Sequence, residues 1–501
     1  MQDALHDHDF DEIDRILSGS FFRLLVEDFG LLGSVFSVLP GSWYERYPRH
    51  FISRAMFDAA GASKLILRPE LVAAFAKWVD GQAETPASDL LVLRLVRVLE
   101  LLGRGWYQDA LQEVDVILTT LRSAPQASDG LEDLMPAALL VCGKVKLLAS
   151  DLDGAQGCFA ESVRWSMSLV EHPLGRFGRE HLALVHALNE DFLQAAELLS
   201  RSNEQHAHGV SKHFMAAGSV ARLLVAVGGL DLQAADVLLR ETDASIRESG
   251  LGWAVLHAEA GLALARSEPW ELIHRINRRL VTDQQRYAPS TLPGSMLRAD
   301  LTGLYQAASD LRAAERTLRS PELPSSCPHL LLATARQSLL LGRPDQAISI
   351  FQRDEASHAT ITPARFRAGG AVLYASAELA IAGEGDEGAF KAAVSAVAHS
   401  GARVALMGAS EALRTQIFPT LDVPLEQVPS PWEYRTRIKL TQREREILQA
   451  LREFGTLKEV AASMHVSINT AKTHVQTLYR KLGAHNRDEA LWLGRDQARR
   501  S

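Results

Sequence analysis

The sequence predicts an all-α protein, a solenoid of helical repeats followed by a four-helix module at the C-terminal end. Three observations carry that expectation. Few stretches alternate with period two or gather Val, Ile and Thr, so strands are not expected. An apolar run, a short break and a small residue opening a second apolar run recur about every 40 residues between roughly 98 and 400. The last segment carries closely spaced helix caps and an excess of basic residues.

At 501 residues the chain exceeds what one hydrophobic core usually organises, so two or more domains are expected. Composition is that of a soluble globular protein, 47% hydrophobic and 23% charged, without an apolar run long enough for a membrane span. The acidic start, "MQDALHDHDFDEID", lacks the order of a signal peptide. Three scattered cysteines, Cys142, Cys158 and Cys327, fit thiols in a reducing cytoplasm rather than disulfides or zinc. Charge is unevenly spread. Residues 435–501 hold 14 Lys/Arg against 7 Asp/Glu, while the rest of the chain carries about −15 of the total −8. A basic module on an acidic body is the asymmetry that accompanies polyanion binding.

Residues 1–82 read as helical but outside the repeat period, a cap region in which "LP…YPRHFISRAMFDAAG" leads into the solenoid. Within "HDHDFDE" (His6 to Glu12) the metal-capable side chains have no later partner cluster, so a solvated, frayed terminus is expected. Residues 83–417 form the repeats. "LLGRGWYQDALQEV", "LLASDLDGAQGCF" and "ALNEDFLQAAELL" place Ala110, Ala155 and Ala195 at the helix crossings. The pattern continues through Ala234, Ile273, Ala313, Ala347 and Ala389. A small residue there lets paired helices approach, and stacking buries what one hairpin cannot, giving a TPR-like sensor or interaction domain. The aromatic groups Trp43/Tyr44/Tyr47, Trp106/Tyr107, Trp253 and Trp270 are read mainly as packing, with the concave face as a natural groove for a ligand or peptide. "GEGDEG" (Gly383, Gly385, Gly388) lacks a preceding strand and is an interhelical loop rather than a dinucleotide site. Four prolines between 418 and 437, at 419, 424, 429 and 431, mark an extended linker.

The module occupies 438–501. Thr441 and Glu444 form a capping box for a helix to about Phe454, and a second helix runs from about Leu457 to Met464. His465 and Val466 turn the chain, Ser467 caps a third helix, and Gly483 ends it. Asn486 with Glu489 caps a fourth helix carrying Leu491 and Trp492. On the third helix Ala471, Val475, Leu478 and Leu482 make one apolar stripe. Opposite it stand Asn469, Thr470, Lys472, Thr473 and Gln476, residue types that pair with base edges in the major groove. Lys458, Ser467, His474, Arg480 and Lys481 suit phosphates.

Leu440–Gly494 resembles the LuxR-type (GerE-type) DNA-binding domain. The residues that carry the likeness are the "LTxRExEIL" opening (Leu440 to Leu448), Lys458–Ala461, Val466–Ser467, Thr470–His474 and Leu478–Ala484, with Ala471 replacing the usual Val. The resemblance implies a recognition role for the third helix and a dimer contact at Leu491 and Trp492 of the fourth, on palindromic double-stranded DNA. Roughly residues 15 to 400 are similar, more loosely, to the helical region of the large LuxR-type regulators typified by the maltose-regulon activator. Those carry a P-loop NTPase ahead of it. No G-x-x-x-x-G-K-[ST] occurs here, so the chain is expected to start where that domain ends, and an ATP switch is not carried over. The expectation is a bacterial, cytoplasmic transcription regulator, homodimeric on DNA, with a small-molecule or protein ligand in the solenoid and RNA polymerase as a further partner. No membrane, metal, cofactor or catalytic residues are expected. The competing reading is a protein-interaction scaffold that keeps its helix-turn-helix mainly for dimerisation.

Overall fold

The computed structural model describes residues 1–62, 69–82, 86–123, 131–168, 172–202, 216–242, 244–248, 250–320, 323, 327–353, 367–383, 386–424, 427–432, 440–482 and 484–494. Among these residues the regular structure is helical throughout, and no helix is long and apolar enough to cross a membrane.

The N-terminal residues His6 to Asp9 are solvated as expected, but the region is helical on either side of them rather than frayed. Asp9 accepts from the Glu12 amide to cap Phe10–Glu27, and Ala4 is buried against that helix's neighbourhood. The aromatic cluster Trp43/Tyr44 supplies the reason, packing on Ile13, Leu17 and Phe21 and holding the terminus down. Ser20 breaks the helical backbone inside Phe10–Glu27. The amides of Phe22 and Arg23 next to the kink donate to the Asp133 carboxylate at 2.7 and 2.9 Å, which fastens the cap region to the solenoid.

Eight helical hairpins follow among the described residues. The first four pair Ala87–Arg104 with Tyr107–Ser123, Leu131–Leu148 with Leu152–Ser168, Leu174–Leu188 with Phe192–Ser200, and Ala216–Gly228 with Leu232–Glu241. The next four pair Gly252–Arg266 with Pro269–Thr282, Leu292–Ala307 with Leu311–Leu318, Pro328–Leu340 with Pro344–Arg353, and Arg367–Ala382 with Glu387–Ser400. Each first helix also packs on the first helix of the next hairpin, which is the stacking a solenoid requires. Seven of the eight crossing residues expected from sequence are buried. The fourth is displaced by one: Ala235 is fully buried and Ala234 only half-buried, because two adjacent alanines left the register open.

The hairpin turn has a structural signature that the sequence pattern did not reveal. One residue adopts positive φ before each second helix of the first seven hairpins: Gly105, Ser150, Glu190, Leu230, Ser267, Ser309 and Gly342. The next residue's amide reaches back five positions, as from Asp151 to the Lys146 carbonyl (2.8 Å), Asp191 to His186 (2.8 Å) and Asp310 to Tyr305 (2.9 Å). That bond satisfies a carbonyl which the end of the first helix would otherwise orphan. The stack curls until distant hairpins meet. The Gly369 amide donates to Glu190 Oε2 at 3.0 Å across 179 positions, closing a lumen between the third and eighth hairpins.

The segment read as a linker from 418 begins later. Glu411–Leu421 stays helical through Pro419, since burial of Ile417 and Phe418 holds its last turn, and Asp422 ends it with φ 51°. Beyond it the chain is strapped to the body. Arg414 donates to the Val428 and Pro429 carbonyls, and Trp432 is buried with its indole N–H on the Gly303 carbonyl at 3.1 Å. Residues 433–437 of the expected linker, and the Gly483 cap and Gly385, lie outside the described residues.

Ser309 is an exposed serine held at φ 62°. Its left-handed backbone costs about 1–2 kcal/mol, partly offset on glycine substitution by a loss of about 0.5–1 kcal/mol in chain entropy. Ser309→Gly should therefore raise the thermal unfolding midpoint, by a stability gain of about 0.5 kcal/mol. A lowered midpoint contradicts the strain assignment.

Candidate nucleic-acid interface

Four short helices build the C-terminal module: Gln442–Glu453, Leu457–Ser463, Ile468–Leu482 and Arg487–Leu493. Polar side chains start every one. Thr441 and Glu444 exchange both bonds of a capping box (3.2 and 2.7 Å). Thr456 and Glu459 make a second box (3.3 and 2.8 Å) that sequence reasoning overlooked, although the same spacing was there to read. Ser467 Oγ accepts from the Thr470 amide at 3.1 Å, and Asn486 Oδ1 from the Glu489 amide at 2.9 Å. Between the second and third helices His465 takes φ 54°, so the tight turn rests on a left-handed histidine.

These bonds show in the carboxyl groups. Burial alone would raise Glu444, but the ammonium of Lys481 at 2.6 Å and the Thr441 amide and hydroxyl hold it below the ordinary carboxylate range. The Glu459 carboxyl is lowered by the Thr456 amide and hydroxyl. Arg487 was a second omission of the sequence reading. Its guanidinium donates to the carbonyls of Leu451 (2.5 Å), Phe454 and Gly455, closing the C-terminal end of the first helix.

The third helix has the two faces expected. Ala471, Val475, Leu478 and Leu482 are all buried, the last three in one cluster with Ile447, Leu448, Leu451 and Val460. Asn469, Thr470, Lys472, Thr473 and Gln476 are all exposed, and no described residue of the body covers them. The Thr473 hydroxyl donates to the Asn469 carbonyl at 3.0 Å. Ile468, half-exposed at the helix start, is an apolar side chain that the sequence reading passed over. Of the residues assigned to phosphates, Lys458 and Arg480 are exposed and His474 is half-buried. Ser467 is engaged as the cap and shares a hydroxyl bond with Thr470 (2.8 Å), and Lys481 is ion-paired with Glu444.

The fourth helix meets the body. Trp492 Nε1 donates to Glu315 Oε2 at 2.5 Å, with the Arg312 guanidinium 6.0 Å from the ring centroid. Arg343 Nη2 donates to the Leu493 carbonyl at 2.9 Å, so a residue of the seventh hairpin caps the module's last helix. Leu341, 5% exposed, sits within the module's own apolar cluster, and Leu311 packs against it. The helix expected to carry the dimer contact is thus docked on the second helix of the sixth hairpin and the turn of the seventh, while the exposed polar face of the third helix stays open.

Residues 439–493 match the family of bacterial regulatory proteins described as the luxR family. Over 61 residues the chain is 43% identical to the CsgBAC operon transcriptional regulatory protein of Escherichia coli (strain K12), covering 12% of this chain and 28% of that protein. It is 34% identical over 59 residues to the spore germination protein GerE of Bacillus subtilis (strain 168), covering 12% of this chain and 80% of that protein. It is 48% identical over 54 residues, 26% of the relative, to the probable transcriptional regulatory protein SgaR of Hyphomicrobium methylovorum. The chain therefore spans little more than a quarter of the first and last of these relatives and four-fifths of the second.

Removing the Arg343 guanidinium leaves the Leu493 carbonyl without its charged donor, a loss of about 1.5–3 kcal/mol for such a bond. In Arg343→Ala, amide hydrogen exchange across 487–493 should accelerate by roughly tenfold or more. Unchanged protection there would show that the docked contact is not populated.

Proposed function

The chain belongs to the luxR family of bacterial regulatory proteins, and we propose that it is a sequence-specific DNA-binding transcription regulator whose helical body controls assembly of the C-terminal module. The observation that carries this reading is the third helix. Five exposed side chains able to contact base edges stand on its first turns, opposite a fully buried stripe. A helix entering the major groove by its N-terminal end would set Lys472 toward guanine O6/N7 and Asn469 or Gln476 toward adenine. Thr470 completes that polar row, and the methyls of Thr473 and Ile468 would meet thymine methyl groups. Lys458, Arg480 and the N-terminus of the third helix, with Ser467 and His474, would hold phosphates. Lys481 would join them only by exchanging its Glu444 partner.

Dimerisation on a palindromic site falls to the fourth helix, through Leu491 and Trp492. In the docked arrangement Trp492 is bonded to Glu315, so one surface serves either the body or a second copy of the chain. A small molecule or protein that shifts the solenoid would release it. The switch then acts on pairing of two modules, and the reading face needs no uncovering. The reading places the protein in the cytoplasm, in keeping with three buried free thiols, with RNA polymerase as a partner at the promoter and no enzymatic activity.

Duplex DNA selected from a random pool by the full chain should converge on a two-fold related motif. On that motif Lys472→Ala should cost about 1–3 kcal/mol and relax preference at one position in each half. Arg480→Ala should weaken all sequences alike and reduce the salt slope by about one unit. Binding without sequence preference or salt dependence would sink the proposal. Glu315→Ala, which deletes the acceptor of Trp492, should raise the dimer fraction and DNA affinity of the full chain by roughly tenfold. Sedimentation and anisotropy titration read the two effects, and a variant that stays monomeric on DNA contradicts the docked switch.

A further inference from the structure

The curled solenoid lines a partly open cavity of about 160 Å³ between the third and eighth hairpins. Six side chains give it its character: Glu190, His257, Asp300, His329, Arg336 and Trp432. They come from five separate elements. Glu190 is the left-handed residue of the third hairpin, His257, Asp300 and His329/Arg336 stand on the first helices of the fifth, sixth and seventh hairpins, and Trp432 belongs to the strap before the module. An empty interior cavity is normally apolar. This one gathers two carboxylates, a guanidinium and two imidazoles, a concentration that structural packing alone does not require.

The arrangement of charge is specific. His257 Nδ1 lies 2.8 and 3.0 Å from the two Asp300 oxygens, and although burial disfavours its charged form, the Asp300 carboxylate raises its affinity for a proton. His329, 6.0 Å from His257 between ring centroids, is held neutral by burial, its pKa lowered to about 3. The Glu190 carboxylate rests on the Gly369 amide, and a Cβ at 369 would come within 3.1 Å of it, so glycine admits the carboxylate. The Arg336 guanidinium stacks 3.9 Å from the Trp432 ring centroid.

We propose that this lumen binds a small zwitterion of amino-acid size, its ammonium toward Glu190 and its carboxylate toward Arg336 beside the Trp432 ring. Size and charge balance both favour it. An enclosed cavity of about 150 Å³ accommodates benzene, so a partly open one of 160 Å³ has room for a body of at least that size. Among the described lining residues two carboxyls, Glu190 and Asp300, stand with the Arg336 guanidinium and with the His257 imidazole bonded to Asp300, so a zwitterion adds no net charge to groups withdrawn from water. Leu188, Leu224, Leu264 and Leu332 complete the wall and suit an apolar side chain. Trp432 is eight positions before Leu440, the first described residue of the module, so occupancy bears directly on the strap. That regulatory consequence rests on the function proposed above, while the binding itself does not.

The test titrates the full chain calorimetrically with the proteinogenic amino acids one at a time, and with size-matched alkyl carboxylates and alkylamines. An amino acid with an apolar side chain should bind with submillimolar Kd, and its matched acid and amine at least roughly tenfold more weakly. Glu190→Gln and Arg336→Gln should each weaken it by roughly tenfold or more. If a variant fails to fold, the matched acid and amine on the natural chain decide alone. Equal binding of the acid or the amine, or no amino-acid binding at millimolar concentration, overturns the proposal. Binding of the same preparation to its selected DNA separates the two readings. DNA binding without amino-acid binding removes only the lumen site, and the converse removes only the DNA reading.

Discussion

The left-handed residue at the turns of the first seven hairpins is the constraint on which the architecture depends. It ends the first helix, lets the following amide close back on that helix, and returns the second helix antiparallel at a fixed approach. Repeated through Gly105, Ser150, Glu190, Leu230, Ser267, Ser309 and Gly342, the same turn sets the curvature that brings Glu190 onto Gly369. Two of these turns also carry contacts on which the proposed function and the proposed lumen site rest. Glu190 faces the lumen, and Gly342 sits between Leu341 and Arg343, the pair that engages the C-terminal module. Specialised contacts were thus placed on a repeated element whose backbone was already fixed.

What the sequence made legible follows from the range of the rules involved. Caps are local, and Thr441, Ser467 and Asn486 each behave as their spacing to the next amide requires. The stripe of the third helix is equally local, and Ala471 fills its place fully buried despite its small volume. Crossing alanines could be found because close helix approach excludes larger side chains, and the register failed only at Ala234, where a neighbouring alanine satisfied the same pattern. The left-handed turn was hidden because Ser, Glu and Leu are not typical of that conformation. A recurrent Asp after it, at 151, 191, 231 and 310, was the available signal.

Long-range contacts were beyond a reading of this kind. Prolines at 424, 429 and 431 argue against helix, yet nothing in them says that Trp432 will lie on Gly303 and Arg336. Likewise the aromatic groups considered for a ligand groove went elsewhere: Trp43, Tyr44, Tyr107 and Trp253 are buried in packing, and Trp106 and Trp270 are exposed. Nor does any local pattern tie Arg343 to Leu493 across 150 positions. Those contacts define a state in which the polar face of the third helix is open while the fourth helix is held. An acidic body and a basic module, about −15 and +7, further favour that association at low salt.

The central claim is that the third helix reads base sequence in the cell, and genome-wide mapping of sites occupied by the natural chain and by Lys472→Ala tests it most directly. The account predicts that the natural chain occupies a limited set of promoters sharing one two-fold motif, and that Lys472→Ala loses or broadens that set. Identical occupancy by both proteins, or no enriched motif for either, would contradict it.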